Sequence, residues 1–220
     1  MVDLIADLRA DTVRANLERV RAEIAASGRP EGSVQILAAV KYVPIEALGE
    51  LQSAGLTLLG ENRAQDLVAK SAAYPGVFTW DFIGSLQSRK VAQIAAHVRY
   101  IHSVASNSAL AQLARHATPQ TRIMIEVNLA GEAGKSGVAP ADLEGFLQRS
   151  PVPVVGLMTM PPLVDDPELS RIHFAALREL AQRHDLAELS MGTSQDYLVA
   201  VQEGATIIRL GRSLYFDRAS

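Results

Sequence analysis

No cysteine occurs in the 220 residues, which excludes disulfides and thiolate metal sites. No apolar run approaches the ~20 residues that a membrane-spanning helix requires. The N-terminal stretch from Met1 to Gly28 is charged throughout, so no secretory leader is expected, and a cytoplasmic chain is. Neither sign of charge dominates: the formal net charge is −3, which gives no general attraction to nucleic acid or to an anionic membrane. The five histidines form no H-x-x-H or H-E-x-x-H pair, so no metal site is expected. No composition shift or linker divides the chain, and one domain over residues 1–220 is expected. Apolar residues at 48% are ample for the core of a chain this long.

What is present is an alternation. A helical stripe at Leu4, Ile5, Leu8, Val13, Leu17, Val20 and Ile24 comes first and stops at Gly28 and Pro30. Short apolar strands then alternate with helical segments: 34–40, 56–60, 78–84, 99–104, 121–130, 152–160, 187–191 and 205–210. Alternation of this kind implies parallel pairing. Eight such units are the number that closes a (β/α)8 barrel, here with an extra N-terminal helix; a doubly wound open sheet is the alternative.

In a parallel barrel the site is built where the strands end. Strand one ends on Lys41, strand two on Gly60-Glu61-Asn62, strand seven on Ser190 to Ser194, and strand eight on Arg209 to Ser213. The opposite strand ends carry mostly Val, Thr and Pro. The segments "MGTSQD" and "RLGRS" each put glycine and hydroxyl residues just before a helix start, where backbone N–H groups bind anions. Ser194, Gly211 and Ser213 are the candidate donors to a phosphate, with Arg209 or Arg212 as countercharge. Taken singly, Ser194 also reads as an N-cap and Gly211 as a turn glycine. Lys41 either meets water at its strand end or presents an amine whose pKa a partly dry mouth would lower. A neutral amine opposite a phosphate site suits a phosphorylated aldehyde: pyridoxal 5′-phosphate (PLP), or the sugar phosphate of a Schiff-base aldolase.

The segments "AAVKYVP", "GENRAQDLVAK", "WDFIGSLQSRK", "IHSVASNSALAQLA", "IEVNLAGEAGKSGV", "VVGLMTMPP" and "LSMGTSQDYLVAVQEGATIIRLGRSLYF" resemble, in order and in register from about Leu17 to Phe216, the YggS/PROSC family of pyridoxal phosphate homeostasis proteins. The resemblance implies a barrel like the N-terminal domain of alanine racemase, with Lys41 forming the internal Schiff base. It implies that Ser194, Arg209, Gly211 and Ser213 fall at or near the phosphate, with Arg212 beside them, and that Asn62 lines the pocket. Lys135 matches a family lysine implicated in a secondary PLP contact. Two departures stand out: Val40 precedes the lysine where many members have Ser or Thr, and Asp81 replaces a frequent histidine.

The function expected is PLP storage, buffering or delivery by a monomer, with PLP-dependent apo-enzymes as expected recipients, without robust catalysis. The tyrosines, Tyr42 included, offer no clear opposite-face base, and no second domain is expected to supply one. An amino-acid racemase-like enzyme is the alternative. His102 is expected to be packed or hydrogen-bonded, Trp80 to be core, and the arginines Arg9, Arg14, Arg19 and Arg21 to form a solvated helix face.

Overall fold

The computed structural model describes residues 4–5, 7–132 and 134–216. Its strands are β1 (Gln35–Ala39), β2 (Leu58–Glu61), β3 (Thr79–Phe82), β4 (Tyr100–Val104), β5 (Arg122–Glu126), β6 (Val154–Met158), β7 (Glu188–Thr193) and β8 (Ile207–Leu210). They run parallel in chain order, and β1 pairs with β8 through Ala38 and Leu210, which closes the barrel and sets the open sheet aside. Helix α1 (Ala10–Ala26) precedes the barrel. The helices α2 (Leu48–Ser53), α3 (Ala64–Ala73), α4 (Val91–Ile94), α5 (Asn107–His116), α6 (Leu143–Gln148), α7 (Arg171–Arg183), α8 (Tyr197–Gln202) and α9 (Arg212–Tyr215) follow the eight strands in turn. Among the described residues, no helix is long and apolar enough to cross a membrane.

Two apolar layers follow from the strand period of two. The larger lies between barrel and helices and includes Ala38, Leu59, Ile101, Ile123, Leu157, Leu189 and Ile208. The smaller, inside the barrel, is Leu37, Met124, Met158 and Ile207. The ladders are shorter than the apolar runs predict, because residues such as Val34 and Val40 are apolar yet lie just outside the paired segments. Strand β7 is the exception: it extends through Gly192 to Thr193, into the loop that carries Ser194.

Helix α1 buries Val13, Leu17, Val20 and Ile24, one stripe at helical spacing. It begins at Ala10 rather than at Leu4. The amide of Ile5 instead donates to the Tyr42 carbonyl at 2.9 Å, drawing the start of the chain over the loop after β1. The polar face of α1 is not merely solvated, which corrects the sequence expectation for Arg19. Arg19 donates to the Ser213 carbonyl at 3.0 Å, and Asn16 donates to the carbonyls of Leu214 and Phe216. The helix thus buttresses the segment after β8.

Candidate functional site

Register places the site. Ala39 pairs with Gly60 across β1 and β2, so Lys41 and Asn62, each two residues on, stand side by side beyond the ladder. On the other side, Ala38 pairs with Leu210, which puts Gly211 next to Ala39. Lys41, Asn62 and the β8 loop therefore share one stretch of rim.

The β7 and β8 loops meet at a single oxygen. Ser194 Oγ accepts from the Gly211 amide at 3.3 Å, the Ser213 amide at 3.2 Å and the Ser213 hydroxyl at 3.0 Å. Ser194 Oγ occupies the point where these donors converge, and with its own hydroxyl they form a compact donor set, here called the cup, of the kind that can hold an anion such as a phosphate. Gly192 underlies this geometry: its φ is +90°, and a Cβ there would come within 2.6 Å of Ala200 Cβ. A Cβ on Gly211 would meet its nearest neighbour, the Ala39 carbonyl, at an ordinary 3.7 Å.

Asn62 is half-buried, and its Oδ1 is buried without a hydrogen-bond partner among the described residues. Orphaned buried oxygens are rare and costly, which marks this one for a ligand donor. Gly84 packs so tightly on the Asn62 backbone that a Cβ there would lie 2.0 Å from its carbonyl oxygen. Lys41 is half-buried, and its ammonium lies 4.6 Å from the Tyr42 ring centroid. Its side chain makes no hydrogen bond or ion pair with the described residues.

Arg209 lies apart from the cup. Its guanidinium turns into the barrel, donating to Ser190 Oγ at 2.6 Å, the Thr159 carbonyl at 2.9 Å and Met160 Sδ at 2.8 Å. Burial pushes it down to about 10, so it remains a cation at neutral pH. Arg212 is exposed and joins none of these contacts. Lys135 is paired with Glu132, while the neighbouring Ser136 hydroxyl donates to Glu126 at 2.8 Å at the end of β5. Of the residues singled out from sequence, Ser194, Gly211 and Ser213 are brought into direct contact, and Lys41 and Asn62 stand beside them.

Sequence reasoning missed two buried polar systems. The first runs through the barrel interior. Arg99 donates to Asp81, His102 Nε2 lies 3.1 Å from Asp81 Oδ2, and His102 Nδ1 lies 2.8 Å from Ser190 Oγ, which holds Arg209. The ionised Asp81 carboxylate can only accept, so His102 donates to it from Nε2; the neutral ring then accepts at Nδ1 from the Ser190 hydroxyl, whose oxygen takes Arg209. Burial opposes charge on both Asp81 and His102, but His102 and Arg99 together hold Asp81 below the usual carboxylate range. Burial wins at His102, whose pKa is lowered despite Asp81. His102 is thus packed and hydrogen-bonded, as expected, and Trp80 is core, 5% exposed against Phe78. The second system, Glu61 with Lys70, lies outside the barrel. A lysine continuing the buried α3 stripe of Ala64 and Leu67 was the signal available for it.

The His102 shift has a pH consequence. Below its unfolded pKa of about 6.5 the unfolded chain takes up a proton that the folded site refuses, so stability is full above that pH and falls as pH falls. Glu126, raised by burial, works in the opposite direction. The expected outcome is therefore a difference. Between pH 7.5 and 5.5, urea unfolding of the parent should lose more stability than that of His102→Gln, by on the order of 1 kcal/mol. Equal losses would show that His102 titrates normally in the fold.

With this geometry in place, similarity to known proteins is informative. A family model described as alanine racemase, N-terminal domain, matches residues 8–219. A protein of Aquifex aeolicus named pyridoxal phosphate homeostasis protein is 38% identical over 216 residues, covering 92% of this chain and 95% of that one. The structure of PipY from Synechococcus elongatus with PLP bound superposes with a TM-score of 0.78 at 32% identity, covering 93% of this chain and all of that one. Alanine racemase from Corynebacterium glutamicum shares the fold, with a TM-score of 0.73 at 15% identity, and this chain covers 62% of it.

Proposed function

Because the chain belongs to the alanine racemase N-terminal domain family, together with relatives named pyridoxal phosphate homeostasis protein, we propose that it binds PLP and serves its storage, buffering or delivery inside the cell. The observation that carries this reading is the juxtaposition of the Ser194–Gly211–Ser213 cup with the half-buried amine of Lys41 on one stretch of rim. When bound, PLP supplies an aldehyde that condenses with a neutral amine, releasing water. The chain's own residues supply the rest. The Gly211 and Ser213 amides and the Ser194 and Ser213 hydroxyls hold the phosphate, Lys41 holds the aldehyde carbon, and Asn62 Oδ1 accepts from a donor on the ring side of the pocket. Arg209 stands at the floor of the mouth, fixed by β6 and β7, rather than at the phosphate; Arg212 is left to solvent.

Carriage rather than turnover is supported by what surrounds the amine. Tyr42 is the tyrosine beside it, and its ring lies against the Lys41 ammonium rather than across a substrate from it. A racemase-like reaction needs a second base on the opposite face. We read the chain as a monomer whose mouth stays open to solvent and to apo-enzymes that take up PLP.

The test is an absorption spectrum of the protein incubated with PLP, then borohydride reduction and peptide mapping. A visible band and a pyridoxyl group on Lys41 are expected. Free aldehyde alone, or label scattered over the other lysines, would overturn the reading. Ser194→Ala should weaken PLP binding about 10-fold to 100-fold, since a hydrogen bond to a charged group contributes about 1.5–3 kcal/mol. Unchanged affinity in Ser194→Ala would move the phosphate elsewhere.

A further inference from the structure

The described residues give the Lys41 side chain no hydrogen bond or ion pair, its ammonium lying over the Tyr42 ring, so its placement is set through its backbone. The peptides around it are tied at several points. Val40 N–H donates to the Gly60 carbonyl at 2.9 Å, and Tyr215 Oη donates to the Ala39 carbonyl at 3.2 Å. The Val40 carbonyl, which belongs to the peptide joining Val40 to Lys41, accepts from the Val43 amide at 3.0 Å and from Lys70 Nζ at 2.7 Å. That last bond is the one made by a charged side chain.

Lys70 is 5% exposed and Glu61 fully buried, with Nζ 2.6 Å from Oε2. Gly60 faces the barrel interior, where a Cβ would meet Leu37 Cδ2 at 2.2 Å, so by strand alternation Glu61 faces outward, toward α3. The pair therefore sits in the layer between barrel and helices, among residues such as Leu59 and Leu67. Taking two ions out of water is expensive, and apolar side chains at both positions would avoid that cost. The bonds show what the pair does there. Glu61 Oε1 accepts from the Asn62 amide at 2.6 Å and the Arg63 amide at 3.2 Å, while Oε2 takes Lys70, which reaches on to Val40. One ion pair thus lashes the carbonyl before Lys41 to the turn that carries Asn62. It does so just past Ala39 and Gly60, where the strand ladder ends.

We propose that Lys70 and Glu61 are positioning residues: they set the Lys41 amine and the Asn62 side chain relative to each other, and so govern how readily Lys41 captures an aldehyde. The inference rests on the reading of Lys41 given above. Removing one partner would strand a buried charge, so the test uses Glu61→Gln/Lys70→Met, which keeps volume and removes both charges. PLP is the probe. Each protein is reduced with borohydride after short exposure to PLP, and the Lys41 peptide is quantified beside thermal unfolding. Binding of a phosphate ester without an aldehyde, pyridoxine 5′-phosphate, is measured in parallel.

The expected result is a folded variant with near-parental affinity for the phosphate ester and a Lys41 labelling rate about 10-fold to 100-fold lower, the range that a small misplacement of a reacting group brings. A purely structural role would lower the unfolding temperature and leave labelling of the folded protein unchanged; that result overturns the inference and leaves the PLP reading intact. Absence of Lys41 label in the parent overturns both. Should the variant not fold, Glu61→Leu/Lys70→Leu, apolar in an apolar layer, answers the same question.

Discussion

Lys41→Ala is expected to abolish both the visible band and the borohydride-stable adduct while leaving the fold intact. The side chain is half-buried and its ammonium makes no ion pair, so truncation opens no sealed cavity and strands no partner charge. The site's chemistry should change far more than its stability. The chain has four lysines, which makes the control clean. Lys70 is buried in its ion pair, Lys135 is paired with Glu132, and Lys90 reaches only Gln93. None of the three lies beside the Ser194 cup, so none should take over the label. Affinity for PLP should drop roughly 100-fold, about 2.7 kcal/mol, while pyridoxine 5′-phosphate, held without any bond to Lys41, should bind as it does to the parent. The measurement is a pair of titrations, one per ligand. A Lys41→Ala protein that keeps the visible band would send the amine's role to another lysine.

Asp81→Ala should have the largest effect on stability. Asp81 is fully buried and takes hydrogen bonds from Arg99 Nε and Nη2, the Tyr100 amide and His102 Nε2. Its loss leaves a half-buried guanidinium and a fully buried imidazole without their acceptor. Breaking a buried pair from one side costs about 3–5 kcal/mol. For a chain of this size that corresponds to a fall of roughly 6–20 °C in the unfolding midpoint. The damage should also reach the mouth. Without the carboxylate, His102 has no reason to keep its proton on Nε2, and Ser190 loses the acceptor that orients it toward Arg209. Calorimetry of the variant checks the first effect. A loss below about 1 kcal/mol would mean that water or a shifted Arg99 satisfies the cluster, and that the chain of bonds from β3 to β8 is not tightly coupled.

Much of the molecule could be read from one dimension. Alternating apolar runs and helical stripes are local patterns, and eight of them predicted the closed parallel barrel that the β1–β8 pairing confirms. The same patterns placed Lys41, Asn62, Ser194, Gly211 and Ser213 at strand ends, because strand ends are where apolar periodicity stops. Strand limits were less legible. Val34 and Val40 are as apolar as their neighbours but lie beyond the ladder, and only inter-strand register decides where pairing ends.

The tertiary structure alone decided which of those rim residues meet. Ser194 and Ser213 lie far apart in the chain and share a hydrogen bond because β7 and β8 are neighbours. Arg209 and Arg212 looked equivalent as countercharges. Strand alternation sends the first into the barrel, onto Ser190 and Thr159, and the short α9 leaves the second in water. The ties of Arg19 to Ser213, His102 to Asp81 and Lys70 to Val40 likewise cross from one element to another. A sequence states which residue types are available and with what period they recur. Which buried donor finds which acceptor depends on distances that exist only once the barrel has closed, and the cost of leaving such groups unpaired is what makes those distances specific.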